Sequence, residues 1–224
     1  MLISHSHRFA FIHIPKTGGC SVKIALAPHA ENVLDYWPNR WLDRVGIHVN
    51  YFAPYAVKRF RTHTPASLIA RELPAEAFTR LFKFAFVRNP WDLLVSSYHF
   101  LTQSGNHRRS RHARRLQSFA EYVDYELWRG KLLQSRMVTD GQGRVLVDFV
   151  GRFESLDRDF AVVCRRIGVD AALPHANRGW HTDYREHYSD RLAARVADRF
   201  AEDIERFGYA FADAPAPLAL STTA

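Results

Sequence analysis

Two short apolar runs, each ending at a proline and each followed by a helix-like stretch, constrain this chain more than any other feature. The first, Arg8 to Ile14, is rich in aromatic and β-branched residues and stops at Pro15. The second, Lys83 to Arg88, has the same texture and stops at Asn89-Pro90. Runs of this length bounded by a breaker read as buried strands. Helical stretches follow, from Gly19 to Ala27 and from Trp91 to Thr102. Strand, polar turn and helix, twice over, is the pattern of a parallel sheet with crossover helices, so an α/β fold is expected. Arg144 to Val150 is a third strand candidate. With 224 residues, the chain suits one such domain and is too short for two full-sized ones. The expected domain is residues 1–211, with 212–224, which carries an Ala-Pro-Ala-Pro segment, a loosely attached tail.

Further elements follow from punctuation. Thr64-Pro65 reads as an N-cap with proline at the first helical position. Ser155 is placed to cap a helix ending near Gly168. Ser189 is expected to open a longer helix, with Leu192, Val196, Phe200, Ile204 and Phe207 on one face and a stop at Gly208. Residues 29–62 are irregular and aromatic, with Trp37, Trp41, Tyr51, Phe52 and Tyr55; the aromatic run at 36–55 is expected to pack in the core, the alternative being a surface that stacks on sugar rings or an adenine.

Charge and cysteine content narrow the function classes. Lys plus Arg number 31 against 23 Asp plus Glu, a net charge of +8, and the pI is about 9.8. That balance favours an anionic partner. The two cysteines, Cys20 and Cys164, exclude a disulfide scaffold and suit reduced thiols. No apolar run is long enough to span a bilayer. The stretch from Phe9 to Ile14 is short and contains His13, unlike a signal peptide. A soluble cytoplasmic protein is expected.

The most informative segment is His13 to Ser21, which leaves a strand, turns through Pro15 and enters a helix across Gly18-Gly19. Glycines there let backbone N–H groups approach a ligand, and a helix N-terminus adds free donors and a positive dipole end. With the Lys16 cation and the Thr17 hydroxyl, the loop can cradle phosphate or sulfate oxygens. It is not the Walker pattern, because the lysine precedes the glycines, nor the dinucleotide Gly-x-Gly-x-x-Gly. The bland alternative is an ordinary glycine turn. Arg88 then ends the second strand, and Ser96 lies eight residues on, about two turns into the next helix. A guanidinium and a hydroxyl so placed can hold a second phosphate, so that one ligand would bridge two strand ends. Alternatively, Arg88 is an ion-pair partner of Asp92 and Ser96 an exposed helix residue.

Taken together, Pro15-Lys-Thr-Gly-Gly19 and Arg88-Asn-Pro followed by Ser96 resemble the two cofactor signatures of sulfotransferases that use 3′-phosphoadenosine 5′-phosphosulfate (PAPS). The likeness is to the branch of heparan/uronyl 2-O-sulfotransferases and their bacterial relatives. Asp148 to Leu156, Asp159-Phe160 and the ending Asp203 to Tyr209 also resemble that branch, so the likeness runs over residues 8–210. It implies a three-layer P-loop-like α/β fold with a central parallel sheet flanked by helices. By this resemblance, Lys16, Thr17, Gly18, Gly19, Cys20 and Ser21 form the loop around the 5′-phosphosulfate, and Arg88 and Ser96 hold the 3′-phosphate. No metal is expected. The chain departs from the pattern at Cys20, where Ser or Thr is usual, and a thiol is a weaker donor than a hydroxyl.

Sulfuryl transfer to a hydroxyl needs charge neutralisation at the leaving oxygen, which Lys16 is suited to give, and a base for the acceptor proton. Histidine suits that role near neutral pH, and the chain has 12. His63, just before Thr64-Pro65, is the first candidate, because the family tends to place its basic histidine in that region. His48 is the alternative. His13 points towards the loop as a phosphosulfate contact or a packed strand residue, and Glu154 and Asp148 are further acids or bases. The expected acceptor is a hydroxyl-bearing molecule, a carbohydrate by the resemblance. The arginine-rich stretch His107 to Arg115 is either a rim for an anionic acceptor or a solvated face. Asn177-Arg178 lies where relatives carry a polar contact. Two rival readings stand beside this one. A P-loop phosphotransferase would use Val145 to Asp148 as its apolar run ending in a metal-holding aspartate. A polyanion or nucleic-acid binder would use the arginines alone, and nothing resembling a zinc site or an RNA-stacking motif supports nucleic acid as a partner.

Overall fold

The computed structural model describes residues 1–31, 37–46, 49–52, 55–58, 60–103, 109–174 and 183–213. In chain order these form β1 (Leu2–Ser4), β2 (Phe9–Ile12), α1 (Gly19–Leu26), α2 (Trp37–Arg44), β3 (Val49–Phe52), β4 (Tyr55–Lys58), α3 (Ala66–Glu72), α4 (Ala75–Arg80), β5 (Phe82–Val87), α5 (Pro90–Gln103), α6 (Ser110–Ala113), α7 (Phe119–Arg129), α8 (Ser135–Val138), β6 (Phe149–Arg152), α9 (Leu156–Ile167), α10 (Asp190–Arg199) and α11 (Ala201–Phe207). The central sheet runs β1-β2-β5-β6, and β3 and β4 pair as a separate antiparallel hairpin. β2, β5 and β6 are parallel, with Ile12 opposite Ala85 and Val87 opposite Arg152. The short edge strand β1 is antiparallel to β2, so the sheet is mixed rather than wholly parallel.

Side-chain alternation explains why the strands read as unbroken apolar runs. Phe9 and Phe11 on β2, with Phe84 and Phe86 on β5, pack on one face against Val22 and Leu26 of α1 and Phe160, Val163 and Ile167 of α9. Ala10, Ile12, Ala85 and Val87 point the other way, against Ala66 and Ile69 of α3 and Val138 of α8. Both faces are covered, the three-layer arrangement of an α/β protein. A further apolar cluster joins α5, α7 and α10 around Leu94, Tyr122, Val196 and Phe200.

Several expectations need correction. The third strand begins later than Arg144. Val145 is half exposed and bridges Thr139 at the end of a turn whose Asp140 carboxylate accepts the N–H groups of Gln142 and Arg144. Only from Phe149, opposite Phe84, does the chain join the sheet. Pro65 is the N-cap of α3 rather than its first residue, and the Thr64 hydroxyl donates to the Arg61 carbonyl instead. Ser155 occupies the N-cap of α9, but its hydroxyl bonds the Asp159 carboxylate. Ser189 does cap its helix by accepting from Leu192 N–H, and Gly208 does close the segment at φ 63°. The helix between them breaks at Phe200, which ends α10 and precedes α11. Trp37 and Trp41 are 67 % and 59 % exposed, so these two aromatics are not core. No helix among the described residues is long and apolar enough to cross a membrane.

Candidate cofactor and active site

The C-terminal ends of β2, β5 and β6 lie side by side, and the segments leaving them carry the candidate residues. After β2, Lys16 adopts a left-handed backbone (φ 67°) and Gly18 does so again (φ 76°) as the N-cap of α1. A non-glycine residue at positive φ is uncommon and marks local strain. The Thr17 side chain is buried, and its hydroxyl donates to the Ile14 carbonyl at 3.0 Å, which closes the turn. That proton is therefore spent inside the loop. The two glycines are needed for packing: a Cβ on Gly19 would lie 2.1 Å from His13 Cδ2, and one on Gly18 would lie 2.6 Å from Leu156 Cδ2. No side chain caps α1, whose first turn carries Cys20 and Ser21. Ser21 N–H turns back to the Gly18 carbonyl at 3.0 Å, and Cys20 is exposed with a free thiol.

After β5, the Arg88 guanidinium donates from Nε and Nη2 to the Asp92 carboxylate, both at 2.8 Å, and from Nη1 to the Lys16 carbonyl at 3.3 Å. Its flat face lies 4.1 Å over the Phe153 ring, supplied by the segment after β6. The ion pair with Asp92, the alternative reading of Arg88, is thus present, and it holds the guanidinium in a fixed orientation. Lys16 Nζ sits 4.3 Å over the Phe100 ring. Asp92, Ser96 and Phe100 are spaced four apart on α5 and share one helix face. Ser96 therefore stands between the residue that holds Arg88 and the residue that holds Lys16.

Electrostatics at this point suit an anion. Burial first, and then the Arg88 charge, push the Lys16 ammonium down to about 8. Two cations crowded at an uncapped helix N-terminus form a site that a phosphate or phosphosulfate would relieve. The residues present therefore fit an anionic group such as a phosphate or phosphosulfate.

His63 lies beside the loop. Its Nδ1–H donates to the His13 carbonyl at 2.8 Å, which leaves Nε2 as the acceptor, and the ring stands edge-on to His13 with centroids 4.7 Å apart. It borders a cleft of about 150 Å³ with Pro15, Leu93, Lys131 and Met137. His13 itself is 4 % exposed, and burial first, then the charge of His63, hold it down to about 3. It is a neutral packing residue under the glycine loop.

The remaining candidates sort differently. Glu154 is raised by burial and accepts from Asn89 N–H and Tyr209 Oη at 2.7 and 3.0 Å. Its oxygens brace the Asn89 turn. Asp148 lies at the opposite, N-terminal end of β6, with Oδ2 2.8 Å from Lys83 Nζ. It cannot serve as a metal-holding aspartate at the loop, which removes the main support for the phosphotransferase alternative. Of the arginine-rich stretch, Arg109 pairs with the buried Glu126, while Arg111, Arg114 and Arg115 are exposed. His48, Asn177-Arg178 and residues 107–108 lie outside the described residues.

Sequence reasoning missed Gln134, which is fully buried. Its Oε1 accepts from Arg88 N–H at 2.8 Å, and its Nε2 donates to the Arg88 carbonyl at 2.7 Å. The one available signal was a polar pair, Gln134-Ser135, directly after the apolar Leu132-Leu133.

Comparison with known proteins shows the family and the fold. A model of the sulfotransferase family matches residues 1–210. An uncharacterised protein of Archaeoglobus fulgidus is 32 % identical over 111 residues, 49 % of this chain and 86 % of that protein. Among solved structures, the mouse sulfotransferase SULT7A1, complexed with PAP, superposes with a TM-score of 0.53 at 12 % identity, over 91 % of this chain and 86 % of that one. At that identity the likeness is one of fold.

Proposed function

Because the chain belongs to the sulfotransferase family over residues 1–210, we propose that it moves a sulfuryl group from PAPS to a hydroxyl of a carbohydrate acceptor, without a metal ion. One observation carries the reading: Lys16 and Arg88, at two adjacent strand–helix junctions, converge on one face of α5 with Ser96 between their contact points. PAPS supplies the sulfuryl group and an adenosine bisphosphate leaving group. The amides of residues 17–20 and the Lys16 ammonium hold the 5′ end, where Lys16 also neutralises charge on the leaving oxygen. Arg88 and Ser96 hold the 3′-phosphate.

His63 is the base in this reading. Its Nδ1–H is committed to the His13 carbonyl, so Nε2 carries the lone pair that accepts the acceptor hydroxyl's proton as the oxygen attacks sulfur. The carbohydrate acceptor is supported by the likeness of residues 148–156 and 203–209 to the uronyl 2-O-sulfotransferase branch. Exposed Arg111, Arg114 and Arg115 and the net charge of +8 suit an anionic one. Two free cysteines fit a cytoplasmic setting.

The test is transfer of labelled sulfate from PAPS to a panel of oligosaccharides, with those containing uronic acid first. His63→Ala is expected to lower kcat by roughly 10²–10⁴-fold while leaving affinity for adenosine 3′,5′-bisphosphate unchanged. Wild-type turnover in that variant would remove His63 from the mechanism.

A further inference from the structure

Arg88 is held by more than its ion pair. At the end of β5, where β6 has already turned away at Arg152, the side-chain amide of Gln134 closes a two-bond ring with the Arg88 backbone. The N–H is accepted by Oε1 and the carbonyl is bonded by Nε2, at 2.8 and 2.7 Å. The exchange of both backbone bonds is what a neighbouring strand residue would provide in an antiparallel ladder. Gln134 is 0 % exposed. It is in turn fixed from the far end of the chain, because the buried Asp203 carboxylate of α11 accepts Gln134 N–H and Ser135 N–H at 2.7 and 2.8 Å.

We infer that Gln134 is a positioning residue for the 3′-phosphate: its amide, anchored by Asp203, sets the backbone of Arg88 so that the guanidinium meets that phosphate, and thereby sets preference for a 3′-phosphorylated nucleotide. The inference rests on the reading of Arg88 as the 3′-phosphate residue. Its physical basis is the directionality of the pair. Asp92, Phe153 and the Lys16 carbonyl fix the guanidinium plane, and the backbone position sets where the side chain starts on its way to those contacts. A displacement of about 1 Å is enough to weaken a charge-assisted contact. The Gln134 side chain does not itself need to touch the nucleotide.

The experiment is calorimetric titration of the full chain with adenosine 3′,5′-bisphosphate and, separately, adenosine 5′-monophosphate. The variants are Gln134→Met, Gln134→Glu, Arg88→Ala and the double variant Arg88→Ala/Gln134→Met. Gln134→Met is expected to cut the preference for the bisphosphate by about tenfold, the worth of one charge-assisted hydrogen bond, with monophosphate affinity unchanged. Gln134→Glu keeps the shape and the acceptor for Arg88 N–H but sets a buried oxygen against the Arg88 carbonyl, and a loss in the same direction at least as large is expected. It carries the test if the methionine variant does not fold. On the Arg88→Ala background, Gln134→Met is expected to change nothing further. Equal weakening of both nucleotides, or an unchanged preference while Arg88→Ala abolishes it, would overturn the role of Gln134 and leave the reading of Arg88 standing. No loss of preference in Arg88→Ala would take down both.

Discussion

At the residue scale, the site turns on a lysine that is costly to charge. Burial and the Arg88 guanidinium bring Lys16 down to about 8, so its ammonium is present below that pH and is lost above it. In the proposed site the ligand pairs with the charged form. Affinity for adenosine 3′,5′-bisphosphate is therefore expected to hold between about pH 7, where the ligand's phosphates are ionised, and about pH 8, and to fall above it. The fall should amount to roughly tenfold or more, the worth of a hydrogen bond to a charged group. In Lys16→Ala that fall is expected to disappear, which titration across pH 6 to about 10 would check. A lysine variant that keeps the same pH profile would assign the titration elsewhere. The placing of Lys16, Arg88 and Ser96 beside two strand ends was legible in the sequence because each stands at a fixed offset from a strand end, and those offsets survive folding. Thr17 shows the limit of such reading: the residue type suggested a ligand donor, but its proton goes to Ile14. Beyond its place in a polar pair after an apolar run, Gln134 was not legible, since its partner lies 46 residues away and no spacing rule joins them.

Among elements, the order of strands and helices was read correctly where a breaker bounded an apolar run. It was read less well where pairing decided the outcome. Residues 144–148 are apolar enough for a strand, yet a turn built on Asp140 draws Val145 to Thr139 and delays the sheet until Phe149. The break at Phe200 is similar: the apolar spacing continues through it, but Phe200 is buried in the α5/α7/α10 cluster while Asp203 reaches across to Gln134. Capping follows local chemistry at some helix starts and not at others: Ser189 caps α10, whereas Thr64 and Ser155 bond elsewhere. On α7 the Ser118 hydroxyl accepts Glu121 N–H at 3.2 Å and the Glu121 carboxylate accepts Gln117 N–H at 2.9 Å. Ser118→Ala is expected to lower unfolding stability by about 1 kcal/mol with bisphosphate affinity unchanged, as read by denaturant titration. An unaltered midpoint would mean that the tertiary contact of Tyr122 with Ser97, at 2.8 Å, holds this helix without its cap.

For the whole molecule, the three-layer arrangement is a consequence of aromatic alternation. Phe9, Phe11, Phe84 and Phe86 build one face and Ala10, Ile12, Ala85 and Val87 the other, so helices must cover both. A parallel core then brings three C-terminal strand ends to one edge, where ligands of such sheets bind. Asp148 at the opposite edge has no part in it. That geometry, together with a family match across residues 1–210, supports the proposal of a two-phosphate site, and the proposal holds that it needs no metal. The most direct measurement is calorimetric titration with adenosine 3′,5′-bisphosphate beside ADP and ATP, with and without Mg²⁺. Tight binding of the bisphosphate that ignores Mg²⁺, is weakened by Lys16→Ala and by Arg88→Ala, and exceeds that of ADP, is the predicted result. Mg²⁺-dependent binding of ATP with no binding of the bisphosphate would contradict the account.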